Sequence, residues 1–193
     1  MKELEEEIMR YTRQKLSGKR FGHVERVVRL VDDIARANDL SGAECRVAGW
    51  LHDATKEERR ETVLELVETG AIELDEETFE TPSLWHGFHA AFLGKRDFGI
   101  ESEEILDAVR YHPTGAPGLG NVGLALFVAD FTEPGRDIGG IDRIREQAKS
   151  DLPGAALRVV REKIEFIENK KGKTPHSRSL AFRDWLLSST VSG

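Results

Sequence analysis

The sequence predicts an all-α fold, because apolar residues recur at helical spacing and the signals for strands are weak. Between Val24 and Ala35 the apolar side chains follow one another at intervals of three and four residues, which places them on one helix face. Period-2 alternation is not clear anywhere, and no Asn-Gly or Asp-Gly turn occurs. The length of 193 residues, without repeats or an obvious boundary, favours a single compact helical domain over residues 1–193.

Capping residues predict where the next two helices begin. Ser41 with Glu44 forms a capping box at the start of a helix, and Thr55 with Glu58 forms a second box whose helix stops at Gly70. Periodicity predicts further helices over residues 86–98, 101–111, 122–131, 141–149, 155–169 and about 179–187. Proline and glycine content predicts loops at residues 113–120 and 171–177.

Composition argues against several classes of function. The 28 Lys and Arg residues against 35 Asp and Glu give a net charge of −7, unlike that of a general nucleic-acid binder. Cys45 is the single cysteine, so an intramolecular disulfide and a Cys-rich zinc site are excluded, and a reducing, cytoplasmic compartment is expected. The longest apolar run, residues 122–129, is too short to cross a membrane, and the charged N-terminus is unlike a signal peptide.

Six polar side chains stand at helix ends or on apolar helix faces, where burial without a partner is unfavourable. They are His23, His52, Asp53, His86, His112 and Asp130. Taken singly, a buried histidine is more often a hydrogen-bonded core residue than a ligand. Taken together, imidazoles and carboxylates form a ligand set for iron, manganese or zinc. The set is too large for one tetrahedral zinc and suits two metals that share a carboxylate.

These residues occur in five motifs that resemble a known family. The motifs are Arg20-Phe21-Gly22-His23, Leu51-His52-Asp53-Ala54-Thr55-Lys56, Leu84-Trp85-His86-Gly87, Tyr111-His112-Pro113-Thr114-Gly115 and Val128-Ala129-Asp130-Phe131-Thr132-Glu133-Pro134-Gly135-Arg136. Their order and spacing resemble the HD-domain superfamily of metal-dependent phosphohydrolases, and more closely the YqeK family, which cleaves diadenosine tetraphosphate symmetrically. The resemblance implies an HD-domain helical bundle with a dinuclear metal site in the core of residues 20–136, and C-terminal helices and a tail in residues 137–193.

The resemblance implies a role for each matching position. The six polar residues above would bind the two metals, and Asp53 would bridge them. Lys56 would lie near the transferred phosphate, so Asp53 and Lys56 are the candidate catalytic residues. Lys56 also stands at the predicted start of a helix, where a cation opposes the macrodipole, which favours a functional role. The positions implied to contact the nucleotide are Arg20, Lys56, Thr114, Gly115, Arg136, Lys173, His176 and Arg178.

The implied reaction is hydrolysis of diadenosine tetraphosphate to two ADP by a hydroxide that bridges two metal ions. The ions would be divalent or mixed-valence iron, with manganese and zinc as alternatives. Pro113 stands where the family usually has threonine, which removes a backbone donor and a hydroxyl. Hydrolysis of nucleoside mono-, di- or triphosphates by an HD enzyme therefore stays open. A catalytically idle, metal-stabilised nucleotide-binding module and a purely helical interaction protein are further alternatives.

The expected partner is a dinucleoside polyphosphate or another nucleotide, with no nucleic acid and no membrane. Arg136 has an alternative interpretation as an ion-pair partner of Asp137 or Asp142. All-α domains of this size often dimerise, so a homodimer is also an open expectation.

Overall fold

The computed structural model describes residues 1–137 and 139–191, and the regular structure within them is entirely helical. The all-α prediction is thus confirmed. The helices are α1 (Lys2–Lys15), α2 (Gly18–Ala37), α3 (Gly42–Leu51), α4 (Arg60–Glu68), α5 (Glu76–Phe79), α6 (Trp85–Phe98), α7 (Glu103–Tyr111), α8 (Asn121–Thr132), α9 (Ile141–Ala148), α10 (Leu152–Glu165) and α11 (Ser177–Val191). A 3₁₀ turn, Pro82–Leu84, precedes α6, and a π-helical turn, Phe166–Lys170, follows α10. No helix in these ranges is long and apolar enough to span a membrane.

Helix α8 lies at the centre of the bundle because it has no polar face over most of its length. Every residue from Val122 to Ala129 is buried, and α2, α3, α7, α9 and α10 all pack against this helix. A helix that is apolar all round is stable only when it is surrounded. Asp130 and Glu133, at the C-terminal end of α8, are therefore held inside the bundle rather than on its surface, with 14% and 3% of their side chains exposed.

The close approach of α6 to the end of α7 depends on Gly87. A Cβ atom at this position would lie 2.6 Å from the carbonyl oxygen of Arg110 and 3.1 Å from that of Val109. Because glycine lacks this atom, the two backbones can touch. The result is that the imidazole rings of His86 and His112 lie only 4.9 Å apart, centroid to centroid.

One predicted helix start is confirmed and one is wrong. The side chain of Ser41 accepts a hydrogen bond from the Glu44 N–H and caps α3, as the capping box predicts. Helix α4, however, begins at Arg60 rather than near Thr55, and residues 52–57 are consecutive turns. The Thr55 hydroxyl donates instead to the carbonyl oxygen of His86, at 2.9 Å. Lys56 lies in these turns, so its ammonium does not oppose a helix dipole.

The C-terminal helices begin earlier than the sequence predicts. Helix α10 begins at Leu152, with the Asp151 side chain accepting from the Gly154 N–H. Helix α11 begins at Ser177, whose N–H donates to Glu77 Oε1 at 2.8 Å. This contact ties the start of α11 to α5, a single-turn helix with too short a pattern for periodicity to detect. Helices α10 and α11 pack together, and α10 packs on α8 beside the site described below.

Candidate metal centre and adjoining cavities

The six polar residues singled out in the sequence meet in one cluster inside the bundle. His23 comes from α2, His86 from the first turn of α6, and Asp130 from the last turn of α8. His52 and His112 cap the C-terminal ends of α3 and α7. The four histidines and the adjoining Asp53 are each at most 8% exposed. Five separate helices therefore supply the cluster, which explains why its members are spread over more than a hundred positions.

Asp53 lies between two groups of histidines. Its Oδ1 is 3.2 Å from Nε2 of His86 and 3.7 Å from Nε2 of His112. Its Oδ2 is 3.9 Å from Nε2 of His23 and 4.0 Å from Nε2 of His52. The two oxygens of one carboxylate thus face different imidazoles, which is the geometry that a carboxylate needs to contact two cations at once.

Backbone carbonyls orient two of the histidine rings. Nδ1 of His52 lies 2.6 Å from the Gly49 carbonyl oxygen, and Nδ1 of His112 lies 2.7 Å from that of Val109. Each ring therefore donates its Nδ1–H away from the cluster and turns the lone pair of Nε2 towards it. Nε2 of His52 is buried and has no hydrogen-bond partner among the described residues. A buried lone pair of this kind suits a metal ligand.

Burial and neighbouring charges put five of the six groups in the forms that bind cations, whereas at His23 the carboxylates of Asp130 and Glu133 outweigh burial and raise the pKa. Burial lowers the pKa of His52 and His112, and it lowers the pKa of His86 to about 4, so the three rings are neutral near pH 7. Burial alone would raise the pKa of Asp53 and Asp130, but the surrounding histidines outweigh it and hold both pKa values well below the usual range. Neutral imidazoles and ionised carboxylates are the ligand forms of both side chains.

Glu133 belongs to this site, although it was not among the predicted site residues. Its Oε1 lies 3.2 Å from Nδ1 of His23, and its Oε2 accepts from Arg26 Nε at 2.5 Å and from the Gly135 N–H at 2.6 Å. Burial would raise the pKa of Glu133, but these three donors outweigh it and lower the pKa to about 2. Glu133 lies three positions after Asp130 in the same motif. That i, i+3 spacing, which brings two side chains to one helix face, is the feature of the sequence that could have identified it.

Two sets of side chains could each hold a cation, and they share His52, whose single free nitrogen can bind only one cation. One consists of His23, His52 and Asp130, and the other of His52, Asp53 and His112; within each set the ligand atoms lie within 4.8 Å of one another. Nitrogen and oxygen donors in this combination fit a first-row transition metal. His86 adjoins the second set, with its Nε2 3.1 Å from that of His112. These residues are thus suited to bind a divalent metal. The main evidence is the Nε2 of His52, which is buried and has no hydrogen-bond partner among the described residues.

Three predicted phosphate-binding cations border the cluster. Lys56 Nζ lies 3.0 Å from Nε2 of His86, and burial lowers its pKa. Arg20 Nη1 lies 3.1 Å from Asp53 Oδ2. Arg136 Nη2 lies 3.2 Å from Asp130 Oδ1, so the partner of this arginine is a member of the cluster. Its alternative interpretation as a partner of Asp137 or Asp142 finds no ion pair within the described residues.

Two cavities contain most of the residues that are predicted to contact the nucleotide. The first, of about 320 Å³, is lined by Arg20, His23 and Arg136 together with Lys19, Arg26 and Glu133. The second, of about 410 Å³, is lined by the predicted residues Thr114, Lys173 and His176, and by Lys163 of α10. Arg178 and Gly115 line neither cavity. The Arg178 guanidinium pairs with Asp75 and lies over the rings of Phe88 and Tyr111, so it links α11 to α5. Its contact with a nucleotide stays a prediction.

Comparison with known proteins agrees with the geometry. A family model described as HD domain matches residues 20–152. A symmetrical bis(5'-nucleosyl)-tetraphosphatase from Bacillus subtilis is 29% identical over 95% of this chain and 97% of its own length. The protein of the same description from Staphylococcus aureus is 32% identical over 74% of this chain and 73% of its own length.

A solved structure also matches over nearly the whole chain. It is the crystal structure of a protein from Clostridium acetobutylicum described as a predicted HD superfamily hydrolase involved in NAD metabolism. Its TM-score is 0.88 at 30% sequence identity, and the match covers 95% of this chain and 97% of that one. The helical bundle, the five motifs and these matches lead to one conclusion: the chain belongs to the HD-domain family of metal-dependent phosphohydrolases, in its YqeK group.

Proposed function

We propose that this protein cleaves diadenosine tetraphosphate symmetrically into two molecules of ADP. The observation that carries the proposal is the position of Asp53, whose two oxygens face His86 and His112 on one side and His23 and His52 on the other. Support comes from the full-length similarity to relatives described as symmetrical bis(5'-nucleosyl)-tetraphosphatases.

The metal ligands in this proposal are the six clustered residues, with Asp53 as the shared carboxylate. They are His23, His52, Asp53, His86, His112 and Asp130. When bound, the metals supply Lewis acidity and a water of lowered pKa at neutral pH. We infer iron from the family resemblance, and manganese and zinc accept the same donors.

The cations around the cluster bind and orient the polyphosphate. Lys56 presents a compact ammonium beside His86 that can neutralise charge on a phosphate oxygen. Arg20 and Arg136 line the first cavity and offer planar guanidinium groups for bidentate phosphate contacts. Asp53 and Asp130 contribute −2, against +3 from these three side chains, before any metal is added. The local field therefore favours a polyanion although the chain carries −7 overall.

We also propose that the chain forms one domain, because α10 packs on the central helix α8 and contributes to the second cavity. Helices from the C-terminal segment thus complete the site formed by residues 20–136. A nucleotide substrate and a single buried, unpaired cysteine, Cys45, are consistent with action in the cytoplasm.

The first experiment is elemental analysis of the purified protein, followed by hydrolysis assays with iron or manganese supplied. Diadenosine tetraphosphate, ATP, dGTP and AMP are compared as substrates. We expect ADP as the only product from diadenosine tetraphosphate. Turnover of mononucleotides alone would contradict the symmetrical reaction, and bound metal without any turnover would favour the idle nucleotide-binding module.

Two variants separate catalysis from metal binding. Lys56→Ala should retain metal and fold while turnover falls by about a hundredfold or more, since a buried cation on the phosphate is lost. Asp53→Asn should lose metal occupancy, because a shared carboxylate is replaced by a neutral amide. Unchanged turnover in the first variant, or full occupancy in the second, would remove the corresponding residue from the mechanism.

A further inference from the structure

Lys163 is a cation of the site that none of the five motifs contains. It lies on α10 and lines the second cavity together with Pro113, Thr114 and His176. Its Nζ lies 4.5 Å from the centroid of the Phe127 ring. Phe127 is fully buried on α8, three residues before Asp130 and thus on the same side of that helix. The ammonium group therefore lies over Phe127, on the side of α8 that also carries Asp130.

The surroundings of Lys163 leave its charge without a counterion. Within the described residues, no carboxylate oxygen lies within ion-pair distance of its Nζ, and its recorded contact is an aromatic face. Burial lowers the pKa of Lys163 to about 8, Asp130 raises it, and the cations Arg136 and Lys56 lower it further. A partly buried ammonium that faces other cations is unfavourable in the free protein. Such a group is suited to an anionic ligand that arrives from outside.

The second cavity has the two features that a nucleotide needs. Its lining includes the apolar residues Pro82, Leu84, Ile164 and Ile167, which suit a nucleoside. Lys163, Lys171 and Lys173 line the same cavity, so positive charge is available for phosphates. The volume of about 410 Å³ falls in the range of small-molecule sites.

We propose that Lys163 binds a phosphate of the nucleoside diphosphate half of the substrate that occupies this second cavity. The proposal deepens the function given above and rests on it for the identity of the substrate. It makes α10 a substrate-binding element, while Arg20 and Arg136 serve the first cavity. Lys163 is thus a specificity residue for nucleotides rather than a metal ligand.

The test compares Lys163→Met, which keeps the length of the side chain without its charge, with Lys163→Arg, which keeps the charge. Lys149→Met is the matched control, because Lys149 is exposed on the surface and pairs with Glu146. Four properties are measured for each protein: metal content, calorimetric affinity for ADP, KM and kcat for diadenosine tetraphosphate, and hydrolysis of bis(4-nitrophenyl) phosphate. The last substrate carries no nucleoside and serves as a probe of the metal centre alone.

We expect Lys163→Met to weaken ADP binding and to raise KM by about ten- to a hundredfold, the usual loss for one charge-assisted hydrogen bond. Lys163→Arg should recover most of this loss, and Lys149→Met should match the wild type. Metal content and hydrolysis of bis(4-nitrophenyl) phosphate should not change. The melting temperature of Lys163→Met should be equal to or above that of the wild type, because a partly buried ammonium without an ion-pair partner is removed.

Wild-type affinity for ADP in Lys163→Met would overturn the proposal. A parallel loss of metal, stability and bis(4-nitrophenyl) phosphate hydrolysis would overturn it as well, by showing that Lys163 supports the fold. The ADP measurement does not depend on turnover. If the wild type fails to cleave diadenosine tetraphosphate, the proposed function fails, while ADP affinity still decides the role of Lys163.

Discussion

Glu133 fixes the orientation of His23 through a hydrogen bond between its Oε1 and the Nδ1 of the imidazole, 3.2 Å apart. Because Nδ1–H is engaged there, Nε2 is the atom that turns to Asp130, 3.1 Å away. Arg26 holds the opposite oxygen of Glu133. A chain of three charged or polar side chains thus sets the direction of one predicted metal ligand.

We predict that Glu133→Ala weakens metal binding by about ten- to a hundredfold, which is the usual effect of removing a group that orients a ligand. Glu133→Gln should weaken it less, because the amide oxygen can still accept from Nδ1. Metal affinity is measured by titration of the metal-free protein. Glu146→Ala is the control, since Glu146 pairs with Lys149 on the surface. Equal affinity in all four proteins would show that His23 is oriented without Glu133.

Substitution of Gly87 tests whether the close approach of α6 and α7 is needed to bring the histidines together. A methyl group at this position meets the carbonyl oxygen of Arg110, so Gly87→Ala must push α6 away from α7 and separate His86 from His112. We expect a loss of about 1–3 kcal/mol in the free energy of unfolding, as for other overpacked sites, together with reduced metal occupancy. Urea unfolding and elemental analysis measure the two effects.

Gly22→Ala is the matched control for this prediction. Gly22 also adjoins a predicted histidine ligand within a helix, but a Cβ there would lie 3.4 Å from Arg26 Nη1, an ordinary contact. Replacing a helical glycine by alanine stabilises a helix by up to about 1 kcal/mol. Gly22→Ala should therefore retain metal and full stability. Similar behaviour of the two variants would contradict the role given to the close approach of α6 and α7.

The sequence predicts the helices and the clustered residues more completely than it predicts their neighbours. The six clustered residues could be found because each breaks an apolar pattern, and an unsatisfied polar group on such a face needs a partner. The spacing from Thr55 to Glu58 wrongly predicts a helix cap, whereas the Thr55 hydroxyl donates to a carbonyl thirty-one positions away. Local spacing cannot reveal such a contact.

Lys163 and Glu133 show a second limit of prediction from the sequence alone. Neither residue stands out from its own segment, since charged residues are common in α10 and at the end of α8. Their surroundings come from elements distant in the chain: Glu133 meets His23 across 110 positions, and Lys163 meets Phe127 only because α10 packs on α8. Residues that act through such contacts become visible when the helices are assembled.

Gly115 has a structural reason for its place in the turn after His112. Its φ of +70° is in the left-handed region, and a Cβ atom there would collide with the ring of Phe182 in α11. Gly118 has a φ of +79° with open space around it. We predict that Gly115→Ala lowers the free energy of unfolding by about 2–4 kcal/mol, from backbone strain plus overpacking, and Gly118→Ala by about 1 kcal/mol from strain alone.

The difference between these two variants measures the contact with Phe182. Chemical denaturation of both proteins under the same conditions gives the comparison. If the two lose equal stability, the ring of Phe182 moves aside freely, and the turn is not fixed by α11. A larger loss in Gly115→Ala would show that α11 holds the turn that contains Thr114, one of the residues that line the second cavity.

The reactivity of Cys45 can report on the stability of the folded chain around the cluster. The residue is fully buried on α3, the helix that ends at His52, and burial raises the pKa of its thiol to about 12. Since the thiolate is the reactive form, and this pKa lies far above 8, almost none of the thiol is reactive at pH 8 in the folded protein. We predict that a disulfide reagent such as 5,5'-dithiobis(2-nitrobenzoate) labels Cys45 only when the chain opens, and that one thiol per chain reacts in denaturant.

We expect the rate at which Cys45 is labelled to depend on whether metal is bound. Where opening is followed by rapid closing, the rate follows the population of the open form. Metal at a hundred times its dissociation constant stabilises the folded form by about 2.7 kcal/mol, so removal by a chelator should speed labelling by about a hundredfold. Asp53→Asn should label at the fast rate with or without chelator, because the shared carboxylate is absent. A rate that the chelator does not alter would mean that the cluster holds no cation that stabilises α3.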